Sequence, residues 1–105
     1  MKMMTKAIEQ SLPKLGATEN LPNEQKQVVV KYFTPDSSWT WYVAEGEKDA
    51  SGDFRFFGYV EGFENEWGYF TLGELACARG PLGLKVERDY YFSGTFDEIR
   101  SLHAH

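Results

Sequence analysis

Cysteine and histidine are scarce in this chain. There is one cysteine, Cys77, and there are two histidines, His103 and His105, both within the last three positions. A lone cysteine forms no internal disulfide, so nothing in the sequence argues for an oxidising compartment. Cys77 sits in the apolar stretch "LACA", has no fixed histidine to generate a thiolate, and reads as a buried structural residue. Histidine is the usual general base and metal ligand, and a chain end positions it poorly, so serine triads and most metallohydrolases are excluded. No catalytic residue, metal ligand or cofactor is expected. No apolar run approaches the roughly 18 residues of a membrane helix, and "MKMMTKAIEQ" lacks the apolar stretch of a signal peptide. The expectation is a cytoplasmic protein with no membrane partner. Phosphate loops are missing too: "ARGPLGLK" follows a helix instead of linking a strand to one, and reads as a prolyl turn.

What is present is enough for one core. A chain of 105 residues with 42% hydrophobic content reads as a single domain, 1–105. It divides into a short helix and polar connector (1–26), a body of sheet and helices (27–102) and a tail (103–105). Thr5 caps a helix in "TKAIEQSLPKL" that stops before Pro13. "QVVVKYF" reads as a strand, "TPDS" as a turn, and a second strand runs from Trp39 to Glu45. A charged loop, "GEKDASGD", leads to a third strand, "FRFFGYVEG". "FENE" then turns the chain into a fourth, "WGYFT". Capping boxes at Thr71/Glu74 and Thr95/Glu98 open helices in "LGELACA" and "FDEIRSLH". The first of these ends at a Gly80-Pro81 stop, and "LKVERDYYF" between them reads as a fifth strand. The predicted class is α+β, an antiparallel meander of four to five strands with two or three short helices.

Aromatic residues make up 16% of the chain, and strand alternation sorts many of them onto two faces. Trp39, Trp41 and Val43, with Val28, Val30, Tyr32, Phe54, Phe56 and Val60, form the expected core face. The opposite face carries Lys31, Phe33, Thr40, Tyr42, Arg55, Phe57 and Tyr59. Four of those seven are aromatic, so this face is either covered by a helix or used for binding. Gly58 marks a possible bulge that would change the phase after Phe57.

Charge is concentrated in the middle of the chain. Between positions 45 and 66 seven acids, Glu45, Glu47, Asp49, Asp53, Glu61, Glu64 and Glu66, face two bases, Lys48 and Arg55. That segment alone carries a net −5, equal to the net charge of the chain. An acidic chain does not attract phosphate backbones, so direct nucleic-acid binding is not expected. The same segment fails as a calcium loop: counted from Glu45, its sixth and twelfth places hold Ala50 and Phe56 where glycine and glutamate belong.

The segments "FTPDSSWTW", "FFGYVEG", "GYF", "ARGPLGL" and "ERDYYF", in that order, resemble a bacterial family known as domain of unknown function 2958. The likeness runs from about Phe33 to Phe92, and "TKAIEQSLPKL" also fits the family's beginning. The resemblance carries over no activity or site residues. It implies cargo of plasmids, phages and integrative elements, often near anti-restriction genes. The expected function is therefore that of a small acidic, non-enzymatic accessory protein of a mobile element. It would bind another protein through its acidic surface, with counter-defence by imitation of phosphates as one variant of that role. The alternative is a small-ligand domain or enzyme using Tyr42, Arg55, Phe57 and Tyr59 on the aromatic face. Partner identity and oligomeric state are not legible.

Overall fold

The computed structural model describes residues 3–89 and 94–98. Helix α1 spans Lys6–Ser11, with Thr5 Oγ1 accepting from the Ile8 amide, and the chain turns extended at Leu12 just ahead of Pro13. A connector with a single 3-10 turn at Asn23–Gln25 follows. Strands β1 (Val30–Phe33), β2 (Thr40–Lys48), β3 (Phe54–Glu61) and β4 (Asn65–Thr71) form an antiparallel meander. Helix α2 (Leu72–Cys77) and the loop after it lead from the β4 edge to β5 (Glu87–Asp89), which pairs with β1 at the other edge. The order is β4-β3-β2-β1-β5. The α+β meander read from the sequence is the observed architecture. The "YYF" end of the fifth predicted strand, the helix beyond Glu98 and the histidine tail lie outside the described residues.

One face of the sheet carries the main core, built from Val30, Tyr32, Trp41, Val43, Phe54, Phe56 and Phe70. Helix α1 covers it with Ile8 and Leu12, and α2 with Leu72 and Leu75. The Tyr32 hydroxyl, in the fully buried centre, donates to the Met3 carbonyl at 2.5 Å. Burial raises its phenol far above the ordinary tyrosine range.

The opposite face holds a second, smaller core of Val28, Tyr42 and Phe96, with Tyr59 and Trp67 packed against it. Residues 26–28 and 94–96 build it by pairing: the Val28 amide donates to Gly94 and the Phe96 amide to Lys26, both at 3.0 Å. This pairing turns Val28 away from the core face that simple alternation predicts for it. The Thr95/Glu98 capping box forms as read, with Glu98 accepting from the Thr95 amide at 3.0 Å. It sets Phe96, 1% exposed, over the sheet.

A β-bulge in β2 decides which residues face which way. Val43 pairs with Gly58 and Glu45 with Phe57, so Ala44 is the extra residue and everything after it changes face. The sequence placed the irregularity on β3, but β3 keeps its phase and the bulge lies opposite. Gly58 marks it because a Cβ there would lie 1.8 Å from the Tyr42 carbonyl oxygen. Gly80 is also a contact glycine, not a left-handed helix stop. Its φ is not positive, α2 ends through extended Ala78, and a Cβ at Gly80 would overlap the Asp36 carboxylate. Cys77 is exposed, not buried. Leu75 is the one buried residue of α2, and two residues further on the helix has turned to solvent.

Gly58→Ala is expected to force β2 and β3 apart at the bulge and destabilise the protein by about 3 kcal/mol. Chemical denaturation measures it, and a change within about 0.5 kcal/mol would mean that the strands do not approach this closely.

Candidate functional site

The seven acids adjacent in sequence are separated in space. Lys48 pairs with Phe54 at one end of the β2–β3 ladder and Thr40 with Glu61 at the other, roughly 25 Å away. Asp49 and Asp53 lie at the first end and Glu61, Glu64 and Glu66 toward the second, so no single acidic patch exists.

Glu45 is not a surface residue. It is 3% exposed, because the bulge turns it under the connector. Its carboxylate accepts from the Gly16 amide at 2.7 Å, from the Thr18 amide at 3.0 Å and from the Thr18 hydroxyl. The ammonium of Lys26, also 3% exposed, lies 3.6 Å away and donates to Thr18. Burial alone would raise the carboxyl pKa. The Thr18 and Gly16 donors and Lys26 outweigh it and hold the group below the ordinary glutamate value.

Glu47 accepts from the Leu15 amide at 3.0 Å. Asp53 accepts from the Gly73 amide at 3.0 Å and supports the start of α2. Asp49 closes its own turn on Ser51 and Asp53, whose hydrogen bonds, the Ser51 hydroxyl first, keep its pKa low. Glu64 and Glu66 are exposed. No group of three acids, histidines or cysteines suited to a metal occurs among the described residues.

The aromatic face is likewise occupied. Tyr42 is 4% exposed and meets Phe96 edge-on at 5.7 Å, while Tyr59 packs on Phe96 at 4.6 Å. Burial, and then the hydrogen bond and charge of Glu61, push the Tyr42 phenol far up. Phe57 stacks on Trp67, and Arg55 lies over the exposed Tyr69 ring. Tyr42 and Tyr59 fill a small core that Phe96 seals, and do not line a binding pocket together. A polar cleft of about 330 Å³ does border Tyr42. Its charged groups are already engaged, Lys31 with Asp89 at 3.6 Å and Glu61 with Tyr42.

A larger recess lies elsewhere among the described residues. A cleft of about 630 Å³ opens between the β1–β2 turn, the β3–β4 turn and the loop after α2. Trp39 and Trp41 form its floor, stacked 5.8 Å apart at 26°. Phe63 stands as a wall, edge-on to Trp39 at 5.4 Å. Arg79 and Pro81 bound the opposite side, with hydroxyls from Ser37 and Ser38 at the rim. The two tryptophans therefore differ: Trp41 belongs to the core, while half-buried Trp39 serves both core and cleft.

Backbone approaches hold this site. Gly62 lies under the Trp39 indole, where a Cβ would stand 2.3 Å from the ring. Asp36 in the β1–β2 turn accepts from the Leu82 amide at 2.8 Å and pins the loop after α2. Its other oxygen is buried without a partner among the described residues. Arg79 donates to the carbonyls of Ala76 and Ala78 at 2.9 and 2.8 Å, which fixes its guanidinium. "FTPDSSWTW" and "ARGPLGL", more than forty positions apart in sequence, thus face each other across one cleft.

A family model described as "Protein of unknown function (DUF2958)" matches residues 3–101. The chain belongs to that family. No curated protein and no solved structure matches the DUF2958 chain. Sequence reasoning missed Asp36, Phe63 and Arg79 of this member. Phe63 left a signal, a large ring amid the acids of a turn, where apolar residues are anomalous.

Glu45→Gln should cost about 3–5 kcal/mol near neutral pH, because it leaves Lys26 buried without its counter-ion. The folded pKa of Glu45 is depressed, so its contribution is fully present above the unfolded value of about 4.3. It disappears as pH falls through the folded value. Denaturation of both proteins across pH should therefore show their stabilities converging in acid, and a gap independent of pH would contradict the ion pair.

Gly62→Ala should displace the Trp39 ring from the core and from Trp41, lowering the melting temperature and altering near-ultraviolet dichroism and tryptophan emission. An unchanged spectrum would refute the contact between Gly62 and Trp39.

Proposed function

We propose that this chain is a non-catalytic binding module that grips another protein through the cleft floored by Trp39 and Trp41. One observation carries the reading: Phe63, which lines the cleft, projects with little cover, and exposed Leu82 directly follows the lining residue Pro81 in the chain. Phe63 is 94% exposed on one side, and Leu82 is 81% exposed on the loop opposite. Each exposed ring or aliphatic group costs about 25 cal/mol per Å² of apolar surface in water, recovered when a partner covers it. Aromatic groups beside a fixed arginine are also the composition of interface hot spots. The lining of the cleft offers hydroxyls and one guanidinium but no carboxylate, imidazole or thiol, which supports recognition over chemistry.

The wider setting rests on family resemblance, which supports an accessory protein of a bacterial mobile element; a cytoplasmic location rests on the sequence composition alone. Counter-defence fits that setting, although the division of the acids between two ends of a hairpin removes the continuous array that phosphate imitation needs. The cleft takes over as the contact surface.

A photoreactive phenylalanine analogue placed singly at Phe63, Leu82 or Tyr69 in host cells tests this. Adducts with a partner are expected from the first two positions. None is expected from Tyr69, which is exposed on the other face of the sheet. Phe63→Ala should keep its stability within about 0.5 kcal/mol, as exposed substitutions do, and should abolish the Leu82 adduct. Adducts from Tyr69 alone, or none at any position, would sink the proposal.

A further inference from the structure

We infer that the cleft takes an extended segment of the partner in which a proline stands beside an acidic side chain. This rests on the binding-module reading above and names the chemistry that reading leaves open.

The first argument concerns shape and surface. The half-buried Trp39 indole and the perpendicular, exposed Phe63 ring form an aromatic corner among the residues that line the cleft. Such a corner suits a compact aliphatic ring, whose C–H groups pack against aromatic faces. Proline supplies that ring on a backbone already extended, so less conformational freedom is lost on docking.

Donors and acceptors point the same way. Neither indole N–H of Trp39 or Trp41 donates to a described acceptor, and neither is among the sealed, unpartnered atoms. Both tryptophans and Ser38 are among the residues that line the cleft, so its lining residues carry uncommitted donors. An extended proline-containing segment makes no internal hydrogen bonds and carries free carbonyls to accept them.

The charge balance limits the ligand further. The lining has one cation, Arg79, and no anion. Its guanidinium is held by two carbonyls through a single nitrogen, Nη1, and it forms no ion pair among the described residues. The remaining N–H groups match one carboxylate. A polyanion fits less well. Exposed Glu64 directly follows Phe63 in the chain, and the chain as a whole carries −5, so successive phosphates would meet repulsion beyond the first contact.

A phage-displayed library of random linear peptides, panned on the full chain, tests the assignment. Enriched peptides should share a proline next to an aspartate or glutamate. A synthetic copy should quench tryptophan emission on titration. Replacing its acid with the amide should weaken binding to the wild-type protein about tenfold, the worth of one charge-assisted contact. Phe63→Ala, a change at an exposed ring, should weaken it by at least as much, and Arg79→Gln should erase the preference for acid over amide.

Enrichment of proline-free or basic peptides, indifference to the acid, or no enrichment at all would overturn the inference. So would tighter quenching by single-stranded oligothymidylate than by any peptide. Should the adducts at Phe63 and Leu82 form while panning gives another motif, the binding module stands and its ligand chemistry is wrong. Should no adducts form, the module itself fails.

Discussion

The buried carboxylate of Glu45 is the constraint on which much of this structure depends. Its position under the connector exists only because Ala44 is an extra residue in β2, which turns the chain by one face. Once there, the charge must be compensated, since an unpaired buried carboxylate is far costlier than any single hydrogen bond returns. Gly16, Thr18 and Lys26 supply the compensation, and in doing so tie the connector to the sheet. Lys26 in turn begins the short pairing with residues 94–96 that lays Phe96 on the second face. One bulge thereby links the connector, the central strand and the second core.

The two cores explain how a small sheet accommodates so many aromatics. A one-sided sheet of this length would leave Tyr42, Tyr59 and Trp67 against water. Phe96 meets all three rings within 5.7 Å, in tilted and edge-on arrangements that favour the ring quadrupoles. Trp39 and Phe63, at the far end of the main core, are left partly open. There three turns meet and the loop after α2 stands off from the sheet. Asp36 holds that loop by its backbone, and Gly80 permits the approach. The cleft is therefore the product of anchored turns, which keeps its walls in place before any ligand arrives.

Electrostatics follow the same geometry. Four of the seven central acids have a described hydrogen-bonding task within the fold: Glu45 and Glu47 with the connector, Asp49 in its turn and Asp53 at α2. Their density in the sequence reflects the amides of turns and helix starts that need acceptors. A run of charge along a chain is thus no measure of charge on one surface. The cleft, by contrast, is marked by a single arginine with no acid among its lining residues.

The sequence by itself determined the elements. β-branched and aromatic alternation marked the strands, Thr5, Thr71 and Thr95 marked the helix starts, and short connections implied the meander. These features are local, set by a few neighbouring residues, and so are readable from spacing alone. The tertiary structure decided which side chains meet. Whether Glu45 is buried depends on one inserted residue and on amides nearly thirty positions away. Whether Tyr42 binds a ligand or fills a core depends on Phe96, and the cleft depends on Asp36 reaching the Leu82 amide. Each of these contacts is non-local, its energy depends on approach distances and desolvation, and neither quantity is written in the order of residues.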